Sequence, residues 1–185
     1  MDWSPDGRLL LVVEGAPNRT FGGDLWLLRT DGGKGERKLI PFLTTPAREY
    51  DAQFSPDGRW IAYVSEESGP RHVYVAGYSR DAPEKGPTSK WQISTTNGTL
   101  PRWRADGREL FYLGADNRMM AASVSVRGDV LTVDSVRPLF TVNAPLGGGS
   151  YDVAPDGQRF LVNAFSEQEQ APLSLVVNWT TLVRK

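Results

Sequence analysis

An Asp-Gly pair recurs four times along the chain, as Asp6-Gly7, Asp57-Gly58, Asp106-Gly107 and Asp156-Gly157, at spacings of 51, 49 and 50 residues. A period near fifty means that one supersecondary unit is used repeatedly, which restricts the fold to a solenoid or a propeller. The segments that follow the pairs are LLLVV, WIAYVS, LFYLG and RFLVN. They are short and rich in β-branched, aromatic and leucine side chains, so they predict strands. No segment carries the 3.6-residue periodicity of an amphipathic helix, which excludes helical repeats.

The turn has a direct physical reading. In Ser55-Pro56-Asp57-Gly58 the proline pre-sets φ for the first central position of a type I turn, Asp57 suits the second, and Gly58 can adopt positive φ. Pro155-Asp156-Gly157 repeats the three elements, and Ala105-Asp106-Gly107 keeps the last two. The aspartates are therefore read as turn residues. A metal ligand would need a second carboxylate at a fixed offset, and none recurs.

Each period divides into four strands, A to D. The second unit predicts Tyr50–Ser55, Trp60–Ser65, His72–Ala76 (extending toward Tyr78) and Lys90–Ser94. The third predicts Pro101–Arg104, Glu109–Leu113, Met119–Val126 and Pro138–Val142. The first offers Leu9–Val13, Asp24–Arg29 and Lys38–Leu43 behind an A strand cut almost to nothing before Trp3. The fourth offers Tyr151–Ala154, Arg159–Asn163 and Leu173–Asn178, with no D strand. Four antiparallel strands per repeat describe propeller blades, here spanning about 1–43, 49–94, 100–142 and 150–179. The fold class is all-β, with about three and a half blades. In strand B of the second unit apolar residues fall on both faces, as in a sheet stacked between neighbours. Trp3, Phe54 and Trp103 recur just ahead of the turn, a placement suited to blade-to-blade packing, and core packing likewise accounts for Trp60, Trp91 and Trp179.

Propellers close with roughly four to eight blades, so a partial wheel would bare an apolar face and an unpaired edge at each end. Three outcomes are open: a segment of a longer protein, closure by self-association of two copies, or a small four-bladed ring whose last sheet is completed by the N-terminal residues. The first is the most economical.

Composition narrows the function. Twenty-one basic against 22 acidic side chains leave a formal charge of −1, which supplies no excess to neutralise phosphates, so no nucleic-acid partner is expected. There is no cysteine and hence no disulfide or thiolate centre. No run approaches the ~20 apolar residues of a membrane span, so no membrane insertion is expected. MDWSPDGR lacks the pattern of a secretory signal. The chain as written is expected in the cytoplasm, and a parent propeller with its own signal would be periplasmic.

The SPDGR turn followed by an Ile/Leu-rich strand resembles the propeller repeats of TolB. EYDAQFSPDGRWIAYVSEESG at 49–69, KWQIST at 90–95, LPRWRADGRELFYL at 100–113 and YDVAPDGQRFLVN at 151–163 are similar to one C-terminal region in particular. It is the propeller end of large bacterial eukaryote-like serine/threonine kinases. The resemblance implies a propeller attached to varying partner domains, with any kinase domain upstream. The kinase motifs themselves are absent: no glycine-rich loop with a strand lysine, no HRD, no DFG. Asp31-Gly32-Gly33-Lys34-Gly35 lacks the phosphate-loop spacing and reads as a strand C to D connection.

Nothing in the sequence spells catalysis. His72 is the single histidine and opens a strand, with no GxSxG elbow elsewhere. Glu66, Glu67, Asp81, Glu84, Glu167 and Glu169 cluster in loops, where charge meets solvent. No cofactor and no metal site is expected. In a four-stranded blade the D–A and B–C connections share one face. That face should gather Arg48, Glu49, Tyr50, Glu66, Glu67, Arg71, Arg102 and Tyr151, with Leu146–Ser150 as a glycine-rich loop. Mixed charge with aromatics suits a protein or peptide partner. The expected function is a non-catalytic propeller module for protein interaction or ligand sensing, within a larger bacterial signalling or envelope protein. The alternative is a gating propeller segment of a hydrolase or peptidase.

Overall fold

A computed structural model describes residues 1–15, 23–30, 38–142, 151–163 and 174–176. The phosphate-loop look-alike at 31–35, the 146–150 loop, Glu167, Glu169 and Trp179 lie outside these residues. The described chain is almost entirely antiparallel β-structure, arranged as successive sheets that do not close on one another. It is a partial β-propeller.

The first sheet contains β1 (Asp2–Trp3), β2 (Leu9–Gly15), β3 (Gly23–Arg29) and β4 (Leu39–Leu43). The second contains β5 (Glu49–Phe54), β6 (Trp60–Ser65), β7 (His72–Tyr78) and β8 (Pro87–Gln92). A single bridge, Gly23 to Glu49, links these two sheets at the backbone. The third is β9 (Gly98–Trp103), β10 (Glu109–Gly114), β11 (Arg118–Arg127) and β12 (Val130–Thr141). In the fourth, β13 (Tyr151–Val153), β14 (Phe160–Val162) and β15 (Ser174–Val176) pair in order. The N-terminal residues belong to the first sheet, Asp2 opposite Leu11 and Trp3 opposite Leu10, and so do not complete the fourth. That removes the four-bladed ring closed in this way.

The third sheet departs from the sequence expectation. Its D strand begins at Val130 rather than Pro138, and with β11 it forms a long hairpin about Gly128, whose φ is +60°. The tip leans toward the second sheet, where the Arg59 guanidinium donates to the Gly128 carbonyl and, at 3.0 Å, to Asp129.

Why the repeat folds as it does is visible in its turns. Gly7, Gly58, Gly107 and Gly157 have φ between +64° and +71°, which a side chain would oppose. In each turn the aspartate Oδ1 accepts the backbone N–H two residues on: Arg8, Arg59, Arg108 and Gln158, at 2.9 to 3.1 Å. Ser4 and Ser55 also donate their hydroxyls to that oxygen, at 2.6 and 2.5 Å. These bonds hold the Asp6 carboxyl below its ordinary value, the Ser4 hydroxyl contributing most. In the third turn Arg104 stands in the serine's place, and its guanidinium draws Asp106 down to about 2. Asp57→Ala removes the turn acceptor, so it should cost about 0.5–1.5 kcal/mol, read as a lower urea midpoint with unchanged slope.

Packing between sheets forms three apolar clusters. Leu11, Leu25 and Leu27 of the first sheet meet Ile61, Tyr63 and Tyr74 of the second. Trp60, Val64 and Val75 on the other face of the second sheet meet Trp103, Leu110 and Tyr112 of the third. Phe111, Met119 and Leu139 meet Tyr151, Phe160 and Val162 of the fourth. All six residues of β6 are buried because both its faces are covered. In β2 buried Leu9 and Leu11 alternate with half-buried Leu10 and Val12, because only one face of the first sheet is covered. A polar tie crosses two of these interfaces near the axis: Phe54 N–H donates to Asp2 at 2.7 Å, and Trp103 N–H to Gln53 at 3.0 Å.

Candidate functional site

The D–A and B–C connections of the second and third sheets enclose a cleft of about 730 Å³. Arg48, Glu66, Arg71, Asn97, Asp116 and Asn117 contribute to its lining. Glu66 lies between two arginines, 3.6 Å from Arg48 Nε and 3.7 Å from Arg71 Nε. Both separations exceed hydrogen-bond length, and the two guanidinium side chains are 46% and 55% exposed. The forks are thus oriented by charge while keeping donors for another acceptor.

The other residues expected on this face are not all gathered there. Glu67 turns outward to Lys90, at 2.6 and 2.8 Å. Tyr50 is half-buried against the cluster between the second and third sheets, and burial pushes its hydroxyl up to about 12. Glu49 lies inside rather than on the rim, at 1% exposed. It is held there by the Thr45 and Ser65 hydroxyls, which both donate to its carboxylate. Arg102 folds back, donating to the Pro101 carbonyl at 2.8 Å and lying 6.0 Å from the centre of the Tyr151 ring. Tyr151 is also interior, its hydroxyl donating to the Leu100 carbonyl at 2.6 Å.

Two features of the inner strands had no sequence signal. Asp51 and Leu100, at equivalent places in the repeat, have φ of +49° and +54°. Aspartate tolerates that left-handed conformation, whereas the bulkier Leu100 is strained in it. The ladder slips beside each, between Tyr50 and Gln53 in β5 and opposite the Phe111–Leu113 stretch in β9. Burial raises the Asp51 carboxyl, and the Arg102 charge and the Leu100 N–H pull against it.

A second cleft, of about 640 Å³, opens on the A–B turn side and includes Trp60, Trp103, Arg104 and Glu109. Its buried glutamate is already filled: Glu109 accepts from Arg104 and from Arg137, each at 2.7 Å. His72 is buried as well. Its Nδ1 lies 3.1 Å from the Ser94 hydroxyl, and that oxygen accepts the Val73 N–H at 3.0 Å. With Ser94 only 1% exposed, the pair fastens β7 to the end of the blade and offers no reachable nucleophile. Among the described residues, no cluster of three His, Cys, Asp or Glu side chains could hold a metal ion, and no helix is long and apolar enough to cross a membrane.

No protein-family model matches the sequence, and no curated protein matches it. Solved structures do match in fold. TolB from Acinetobacter baumannii aligns over 96% of this chain and 40% of its own, at 15% identity and a TM-score of 0.62. The Cps50 (Swd1) β-propeller domain of Myceliophteria thermophila aligns over 96% of this chain and 68% of its own, at 12% identity and a TM-score of 0.54. A puromycin-hydrolyzing peptidase of Mycobacterium tuberculosis aligns over 86% of this chain and 27% of its own, at 19% identity and a TM-score of 0.57. The chain therefore spans about two fifths of the length of that TolB. These likenesses are of fold, to TolB-type and WD-type propellers and to propeller-containing enzymes alike.

Proposed function

We propose that the chain is a non-catalytic propeller module that binds a protein or peptide partner in the cleft between its second and third sheets. The observation that carries this reading is the arrangement of Arg48 and Arg71 about Glu66 at the mouth of that cleft. Arginine is favoured at protein interfaces because its planar fork can bind a carboxylate in two places at once. Two such forks, sharing one acidic neighbour beyond bonding distance, suit an acidic segment of a partner. The module would serve a larger bacterial signalling or envelope protein, whose compartment it would share. Attachment to a serine/threonine kinase domain is supported only by the resemblance of the repeats.

The test is fluorescence anisotropy with labelled acidic, neutral and basic decapeptides. The acidic peptides should bind, and the double variant Arg48→Glu/Arg71→Glu should weaken them by about tenfold or more. Equal binding of all three peptide classes would refute the reading. A second reading, a gating propeller segment of a hydrolase or peptidase, is favoured by the fold shared with the puromycin-hydrolyzing peptidase. An α/β-hydrolase domain in the same polypeptide would select it.

A further inference from the structure

We infer that the uncovered face of the first sheet is an interface, and that its occupant is the fourth sheet of a second copy of this chain. The inference is independent of the peptide-binding reading. It comes from comparing equivalent positions of the repeat at interfaces that are covered and at the two ends that are not.

Three residues before each turn aspartate stands a side chain that packs back onto the preceding sheet. Phe54 and Trp103 are 4% and 8% exposed there, whereas Trp3, in the same position with no described sheet before it, is 56% exposed. Around it the outward face continues with half-buried Leu10, Val12, Trp26 and Leu28 and exposed Leu39. This is the composition of the covered interfaces, left open.

The polar tie repeats the pattern. Its acceptor lies four residues before a turn aspartate, Asp2 or Gln53, and its donor is the N–H three residues before the next one, Phe54 or Trp103. Trp3 faces Leu10 across the ladder as Phe54 faces Ile61 and Trp103 faces Leu110. Its N–H is therefore directed toward a preceding sheet. The acceptor slot of the fourth sheet holds Asp152, whose carboxylate turns back on the Val153 N–H at 2.8 Å.

The fourth sheet also carries the receiving surface. Leu161 occupies the position of Leu11 and Ala62, which are 1% and 0% exposed against the following sheet, yet it is 43% exposed. Beside it is a cavity of about 320 Å³ bordered by Ala154 and Arg159. These stand where Ser55 and Trp60 stand in the second sheet, both of which border the same cleft as Trp103. The fourth sheet thus presents the acceptor, an apolar neighbour and a recess for an aromatic ring. The first sheet presents the donor and the ring. Two copies joined head to tail through this contact close on a two-fold axis, with roughly eight sheets in the ring, the upper end of the propeller range.

The experiment is the solution mass of the full chain by size-exclusion chromatography with light scattering, over about 1–100 µM. The expected mass is twice 20.4 kDa. Trp3→Glu should give a monomer with an unchanged far-ultraviolet circular dichroism spectrum, since the side chain is exposed. Asp152→Ala should raise the dissociation constant by about tenfold, and Asp152→Asn, which keeps an acceptor as Gln53 does, by much less. A monomer at every concentration, or a dimer indifferent to Trp3→Glu, overturns the inference.

Discussion

Phe111→Ala is expected to destabilise the protein by about 3–5 kcal/mol, equivalent to roughly 6–20 °C in melting temperature for a chain of this size. Phe111 is fully buried and meets Phe160 edge to face, with centroids 5.0 Å apart at 88°. Phe160 in turn packs against Phe140 at 5.3 Å and Tyr151 at 6.4 Å. The cavity left behind would therefore sit at the centre of the apolar cluster that, among the described residues, holds the fourth sheet. Sheets in a propeller contact mainly their neighbours, so damage at one interface should show locally before it shows globally. Amide exchange should accelerate in residues 151–162 while β6 and β7 keep their protection. A loss below about 1 kcal/mol, or protection lost equally in all sheets, would contradict this view of the packing.

Most of the architecture is legible in the sequence because its determinants are local. The Asp-Gly turns need only four consecutive residues, and the carboxylate that closes each turn belongs to the same segment. The two-sided apolar pattern of β6 reports burial between neighbours without saying which neighbours they are. The length of β12 was also present, as alternation through Leu131-Thr132-Val133-Asp134, but the spacing of the other repeats hid it. The cleft was legible only in part. Connections sharing one face brought Arg48, Glu66 and Arg71 together. Glu49 and Tyr151 are held inside by partners distant in the chain, the Ser65 hydroxyl for one and the Leu100 carbonyl for the other, which no linear pattern records. The left-handed Asp51 and Leu100 carry no glycine to mark them.

Glu49→Gln should stabilise the protein at pH 7 by about 1–3 kcal/mol, because a buried, incompletely bonded carboxylate carries an uncompensated desolvation cost. Its Oε1 accepts from the Thr45 hydroxyl at 2.7 Å and the Ser65 hydroxyl at 3.2 Å, while its buried Oε2 has no partner. The charged groups facing it are Asp24 on β3 and Glu67 beyond β6, both negative, and Lys90 on β8 is engaged with Glu67. Burial is the main reason the Glu49 carboxyl is raised, and the two hydroxyl bonds only partly oppose it. The sign of the pH dependence follows. An unfolded glutamate ionises near about 4.3, below the folded group, so between the two values the native state holds the extra proton. Stability therefore falls as pH rises through that window, then stays at the reduced level once the folded carboxyl has ionised. The glutamine variant lacks this titration, so its advantage over the natural sequence should be smallest near pH 4 and grow toward pH 7. Urea unfolding at both pH values measures the difference. An advantage that does not change between the two pH values would show that Glu49 ionises without penalty where it stands.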